Sequence, residues 1–192
     1  MDSGSIVALS QQKALYRAME VVAQNLANAN TIGYKTEKAC FDSHIKSAGV
    51  KHNHAFVNER RIFRDFSEGP GQQTGNPLHI MIHGEGLFPI KAKSGVLYTR
   101  CGVFELNEHS EIVTPAGDPL LDQDDDPIVI PEGTQNIEIT PDGLVAADQD
   151  PIAHLCVYRF ERDQELMPEG HNLLSSQESP SVNEKVEFVQ GM

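Results

Sequence analysis

The chain has 192 residues, 39% of them hydrophobic, enough to build a core of ordinary domain size. Its 15 Lys and Arg stand against 28 Asp and Glu, and a formal charge of −13 leaves little electrostatic basis for wrapping nucleic acid or docking on an anionic bilayer. Three widely spaced cysteines, Cys40, Cys101 and Cys156, exclude a disulfide framework. No apolar run reaches the roughly 18 residues of a membrane span, and MDSGSIVALS has neither the basic stretch nor the Ala-x-Ala site of a cleavable signal peptide.

The charge is unevenly placed. Cys101 to Tyr158 holds thirteen acids and no Lys or Arg, whereas Lys35 to Arg64 holds seven bases, among them Arg60, Arg61 and Arg64, against three acids. All eleven prolines lie at or beyond Pro70, so the first 68 residues permit long uninterrupted helix while the remainder is punctuated by turns. In the first part Ile6, Leu9, Tyr16, Met19, Val22, Leu26 and Ala29 recur at helical spacing, with Gln12, Lys13, Arg17, Glu20 and Gln24 off the stripe. The pattern predicts an amphipathic helix from about Ser5 to Asn28, stopped by Asn28, Asn30 and Gly33, which tolerate left-handed backbone. Such a stripe packs either on the protein's own core or on a helix of another chain.

Residues 35–61 mix short apolar touches with charges and histidines and are expected to form a linker. From Arg61 onward period-two segments alternate with Gly, Pro and Asp turns, which predicts a compact antiparallel β-domain. Pro89 falls inside one such run and demotes it to an edge or bulge. The expected fold is therefore mainly β: an antiparallel β-domain preceded by a long amphipathic N-terminal α-helix. Residues 1–34 form the helix and its exit turn, 35–61 the linker and 62–192 the β-rich outer domain.

Little in the sequence asks for catalysis. Asp122, Asp124 and Asp126 open like a calcium loop, but its sixth position is Pro127 and its twelfth Gly133. Gly84-x-Gly86 lacks the Lys-Ser/Thr of a phosphate loop and reads as a hairpin. Cys40, His44, His52 and His54 match no closed zinc template. His79 and His83 share the parity of one strand-like run, with no nucleophile near them in sequence. No catalytic residue, metal or cofactor is expected.

The string Asn25-Leu26-Ala27-Asn28-Ala29-Asn30-Thr31-Ile32-Gly33-Tyr34-Lys35 resembles the N-terminal signature of bacterial flagellar axial proteins of rod and hook, and the flanking residues are similar to the proximal, FlgF-type, rod proteins more than to the distal ones. The similarity continues in order through Arg64-Asp65-Phe66-Ser67-Glu68-Gly69-Pro70, Thr74-Gly75-Asn76-Pro77-Leu78, Gly84-Glu85-Gly86-Leu87-Phe88, Tyr98-Thr99-Arg100-Cys101-Gly102-Val103-Phe104 and Pro115-Ala116-Gly117. This resemblance implies a non-enzymatic building block of the basal-body rod, exported by the flagellar type III apparatus without a cleaved signal and polymerising in the periplasm with other axial subunits. It implies no nucleic-acid partner and no membrane insertion.

Leu9, Tyr16, Met19, Val22 and Leu26 would then form an assembly seam. Asn25, Asn28, Asn30, Thr31, Gly33, Tyr34 and Lys35 would form the turn out of the core helix, and Thr74, Gly75, Asn76 and Pro77 the turn into the β-domain. Arg60, Arg61 and Arg64 would meet a neighbour's acidic surface. Family members continue past Val189-Gln190-Gly191 into a C-terminal helix, which the resemblance leads one to expect this chain, ending at Met192, to lack. The alternative is a soluble binding module that uses the β-domain alone.

Overall fold

The computed structural model describes residues 3–47, 53–183 and 185–192. It divides into two compact units, Met1–Ser67 and Glu68–Met192.

The first unit opens with helix α1 (Ser3–Ala27), rich in Ala, Leu and Gln and without an interior proline. Beyond a short turn come β1 (Glu37–Ser47) and β2 (Asn53–Arg64), paired antiparallel from Glu37↔Arg64 to Ser47↔Asn53. The register shifts between Cys40 and Phe41, whose partners are Arg61 and Glu59, so Arg60 is the extra residue of a β-bulge. The linker expected over 35–61 is thus replaced by most of a two-stranded ribbon against which α1 packs. Its signal was present: Ala39, Phe41 and Ile45 alternate with Lys38, Asp42, His44 and Lys46, a period of two partly hidden by charge. The metal set weighed at Cys40, His44, His52 and His54 falls largely on side chains outside the described ones.

The second unit is antiparallel throughout its ladders. Its strands are β3 (Ile80–His83), β4 (Phe88–Ala92), β5 (Gly95–Thr99), β6 (Glu105–Leu106), β7 (Ile112–Val113), β8 (Ile137–Ile139), β9 (Leu144–Ala147), β10 (Asp150–His154), β11 (Tyr158–Arg159), β12 (Met167–Gly170), β13 (Leu173–Ser175), β14 (Ser181–Val182) and β15 (Glu187–Gln190). They form a four-stranded sheet β12-β13-β5-β4, a three-stranded sheet β10-β9-β8 and the pairs β15-β3, β11-β14 and β6-β7. Strand β4 carries Pro89 at the edge of its sheet, where a missing N–H breaks no ladder.

Turns follow from backbone chemistry. Asp148-Gln149 and His171-Asn172 close two-residue hairpins with both residues at positive φ, the geometry that matches strand twist. Residues 152–160 are not one strand, since β10 ends at His154 and β11 begins at Tyr158, and residues 127–130 join through the isolated bridges Glu111↔Val129 and Leu121↔Pro127.

The core of this unit gathers Ile80, Ile90, Phe104, Leu120 and Val145 around Phe88. Phe88 meets Phe104 edge to face at 5.3 Å and Phe188 of β15 at 6.2 Å, so the last strand helps to close the core.

Candidate functional site

Helix α1 has two faces of different fate. Ala14, Ala18, Val21 and Asn25, spaced four, three and four apart, are covered or half-covered, and Val21 is only 6% exposed. Leu15, Met19, Val22 and Leu26 repeat the same spacing and fall within an arc of roughly 60°. They stand in solvent at 70%, 69%, 64% and 75% exposure. Leu9 and Tyr16, which flank this arc, are exposed as well. The stripe read from the sequence is therefore a face that the chain's own core does not cover, and Leu15, which that reading omitted, belongs to its centre. Its spacing of four, three and four from Leu15 to Leu26 could have identified it.

The exit turn fastens the helix to the ribbon. Asn28 N–H and Nδ2 both donate to Gln24 O, at 3.1 and 2.9 Å, capping the last turn. Thr31 Oγ1 donates to Asn28 Oδ1 at 3.2 Å, Asn30 lies exposed in the turn, and Gly33 takes φ 75°, which favours glycine. Asn25 forms a two-point amide pair with the backbone of Glu37: Nδ2 donates to Glu37 O at 2.7 Å, and Glu37 N–H donates to Oδ1 at 2.9 Å. Tyr34 Oη donates to the same Oδ1 at 3.2 Å. Burial raises the Tyr34 pKa, with the Glu37 charge adding and Arg64 opposing, so the phenol remains a donor at neutral pH.

Lys35 Nζ reaches across to donate to Phe66 O and Ser67 O at 3.3 and 2.9 Å, and Asp65 N–H donates to Thr36 O. The signature thus ties the end of α1 to both arms of the ribbon at its open end. Lys38 lies 2.7 Å from Asp65 and, with the hydroxyl and N–H of Ser67, holds that carboxyl well below its ordinary range. Arg64 Nε donates to Glu37 Oε1 at 3.2 Å with both side chains largely covered, so this guanidinium is committed within the ribbon. The backbones of Arg60 and Arg61 lie in β2, and their side chains fall outside the described ones.

The turn into the β-unit is equally fixed. Thr74 and Gly75 N–H donate to Gly191 O at 2.8 and 3.1 Å, Asn76 Oδ1 accepts Leu78 N–H at 3.0 Å, and Gln190 Nε2 donates to Pro77 O at 2.9 Å. The Tyr-Thr-Arg-x-Gly-x-Phe run has a reason at each fixed position. Tyr98 stacks edge to face on Tyr158 and Phe160. Thr99 Oγ1 donates to Asn172 O at 2.9 Å and accepts Cys101 N–H at 3.0 Å. Arg100 clamps the β3–β4 turn by donating to Ile82, Gly84 and Gly86 carbonyls at 2.5–2.8 Å. A Cβ on Gly102 would lie 1.7 Å from Ile80 O, so only glycine fits there.

The acidic turn at Asp122 is closed by its own carboxylate, which accepts Asp124 and Asp126 N–H at 2.8 and 3.0 Å. Among the described residues no cluster of His, Cys, Asp or Glu is arranged to hold a metal ion, and no helix is long and apolar enough to cross a membrane.

Comparison with known proteins falls on these same elements. The model described as "Flagella basal body rod protein" matches residues 7–35, from α1 to the lysine that closes the exit turn. The model described as "Flagellar hook protein FlgE/F/G D1 domain" matches residues 81–147, from β3 to β9. The flagellar basal-body rod protein FlgF of Caulobacter vibrioides is 30% identical over all of this chain and 81% of its own length. FlgF of Mesorhizobium japonicum is 28% identical over 90% of this chain and 71% of its own. FlgG of Agrobacterium fabrum, also a flagellar basal-body rod protein, is 32% identical over 88% and 72% respectively. With the signature turn, the clamp motif and these relatives in one order along one fold, the chain belongs to the flagellar basal-body rod protein family.

Proposed function

We propose that the chain is a structural subunit of the flagellar rod that assembles through the open face of α1. The observation that carries this reading is the exposure of Leu15, Met19, Val22 and Leu26 along one arc of a helix whose other face is already packed. Each such side chain gains about 1.5–3 kcal/mol on full burial, so a helix from another axial subunit laid along the arc supplies a substantial driving force. The Asn25 and Lys35 contacts fix the direction in which α1 leaves the ribbon, and so orient the seam without entering it. Arg60 and Arg61 contribute a smaller, salt-sensitive attraction to a neighbour's acidic surface.

In this reading the subunit is non-enzymatic, reaches the periplasm through the flagellar export apparatus and binds no nucleic acid. The double substitution Met19→Glu, Val22→Glu places two carboxylates in the seam, where burying them costs several kcal/mol. Its incorporation into purified basal bodies should fall more than about tenfold, a drop worth 1.4 kcal/mol or more, while thermal unfolding of the β-unit stays unchanged. Incorporation equal to that of the parent chain would contradict the seam.

A further inference from the structure

Ile80 and Ile82 of β3 point into the core, so His79, Met81 and His83 lie on the strand's other face. The segment 68–77 crosses that face in the opposite direction. At one end His83 Nδ1 pairs with the Glu68 carboxylate, whose second oxygen accepts Gly84 N–H at 3.5 Å. In the middle Gly71 rests on Met81 and Met192, where an added Cβ would lie 2.7 Å from Met81 Sδ and 2.6 Å from Met192 Cε. At the other end His79 Nδ1 is 2.8 Å from Thr74 Oγ1, and His79 Nε2 is 3.3 Å from Asn76 Nδ2. From Glu68 to Gly75 the segment brings no large apolar side chain to the methionines it crosses, so its hold rests on the polar contacts at its ends.

Those ends need different protonation states. Asn76 Oδ1 is occupied by Leu78 N–H, which turns Nδ2 toward His79. His79 Nε2 must therefore accept, and its proton sits on Nδ1, donating to Thr74. Protonating His79 would set N–H against N–H. His83 faces a carboxylate and strengthens its bond when protonated. Glu187, its register partner on β15, adds to that negative field, and Arg100 behind Glu68 opposes it.

Glu85, in the adjoining turn, is paired with Arg159 at 3.0 Å, and Lys185 approaches Gly84 through its backbone carbonyl. Burial works to raise the Glu68 pKa, but the His83 hydrogen bond, the Gly84 N–H and the charges of His83 and Arg100 outweigh it and hold the carboxyl below its ordinary range.

We propose that residues 68–77 form a strap held by a two-histidine clasp whose ends respond oppositely to pH: acidification fastens the Glu68 end and loosens the Thr74–Asn76 end. Because this strap carries the chain from the first unit into the second, the clasp sets the residue from which the connecting segment leaves the β-unit.

Amide hydrogen exchange of the full chain between pH 5.5 and 8, corrected for intrinsic rates, tests this. On raising the pH, protection of Gly84 N–H should fall about two- to five-fold, while that of Leu78 N–H rises by a similar factor, the scale of a partly exposed charge-assisted bond. His83→Gln should flatten only the first response and His79→Gln only the second. Imidazole nitrogen shifts at pH 8 should show His79 protonated on Nδ1. Protection independent of pH, both responses surviving in both variants, or His79 protonated on Nε2 would overturn the clasp.

Discussion

Single side chains in this molecule act mostly by closing backbone. Asn25, Arg100 and Asp148 each bind two or more main-chain groups, and Asp148, in the β9–β10 turn, accepts Gln135 and Asn136 N–H just ahead of β8. The sequence made part of this legible: Asn28 read as a helix stop, because capping is a local matter, but it caps through its side chain, and of the three residues expected to take left-handed backbone only Gly33 does. The Asn25–Glu37 pairing was not legible, since it joins residues twelve apart whose approach depends on the ribbon.

A second residue-scale feature concerns Cys156 and Tyr158. Burial pushes the Cys156 thiol up to about 11 and the Tyr158 phenol up to about 12, with the Asp125 carboxylate adding to both. Unfolded, these groups ionise near 9 and 10. Above pH 9 the unfolded chain therefore binds fewer protons than the folded one, and stability falls as pH rises from 9 to 12. Tyr158→Phe should make that fall shallower in thermal-unfolding midpoints measured across the window. An unaltered slope would show that the phenol does not contribute.

At the scale of elements, α1 illustrates how one periodicity can leave two destinations open. The 3.6-residue period predicted the helix, yet two interleaved apolar faces satisfy it, and only packing on the ribbon decides which is buried. Val21 lies on the packed face and Leu15 on the open one. Val21→Ala should destabilise the first unit by about 1–3 kcal/mol. Leu15→Ala, despite its larger truncation, should change the stability of the isolated chain by less than about 0.5 kcal/mol. Hydrogen exchange of the α1 and ribbon amides separates the two cases, and equal losses would mean that the faces are misassigned.

The ribbon and the strands β12 to β14 are hard to read from the sequence for a shared reason. They are dense in charge or only two to four residues long, and their pairing is fixed by partners distant in sequence, such as Thr99 for Leu173 and Tyr158 for Val182.

At the scale of the whole molecule, the uneven charge seen in the sequence follows the division into units. The second unit carries 22 of the 28 acids and six of the 15 bases, while the first carries nine bases and six acids. In the proposed assembly this distribution makes β-units repel one another and leaves cohesion to the open face of α1. The composition pointed to this division, and the family resemblance supplied its meaning, but the solvent exposure of the seam needed the three-dimensional arrangement.

The most direct test places a single reporter on that face. In a Cys40→Ser, Cys101→Ser background, which leaves only the buried Cys156, Met19→Cys should react readily with a maleimide in the unassembled chain. In purified basal bodies containing the same variant it should be protected more than about tenfold, a drop worth 1.4 kcal/mol or more. Equal labelling in the two states would contradict the claim that rod assembly buries the α1 seam.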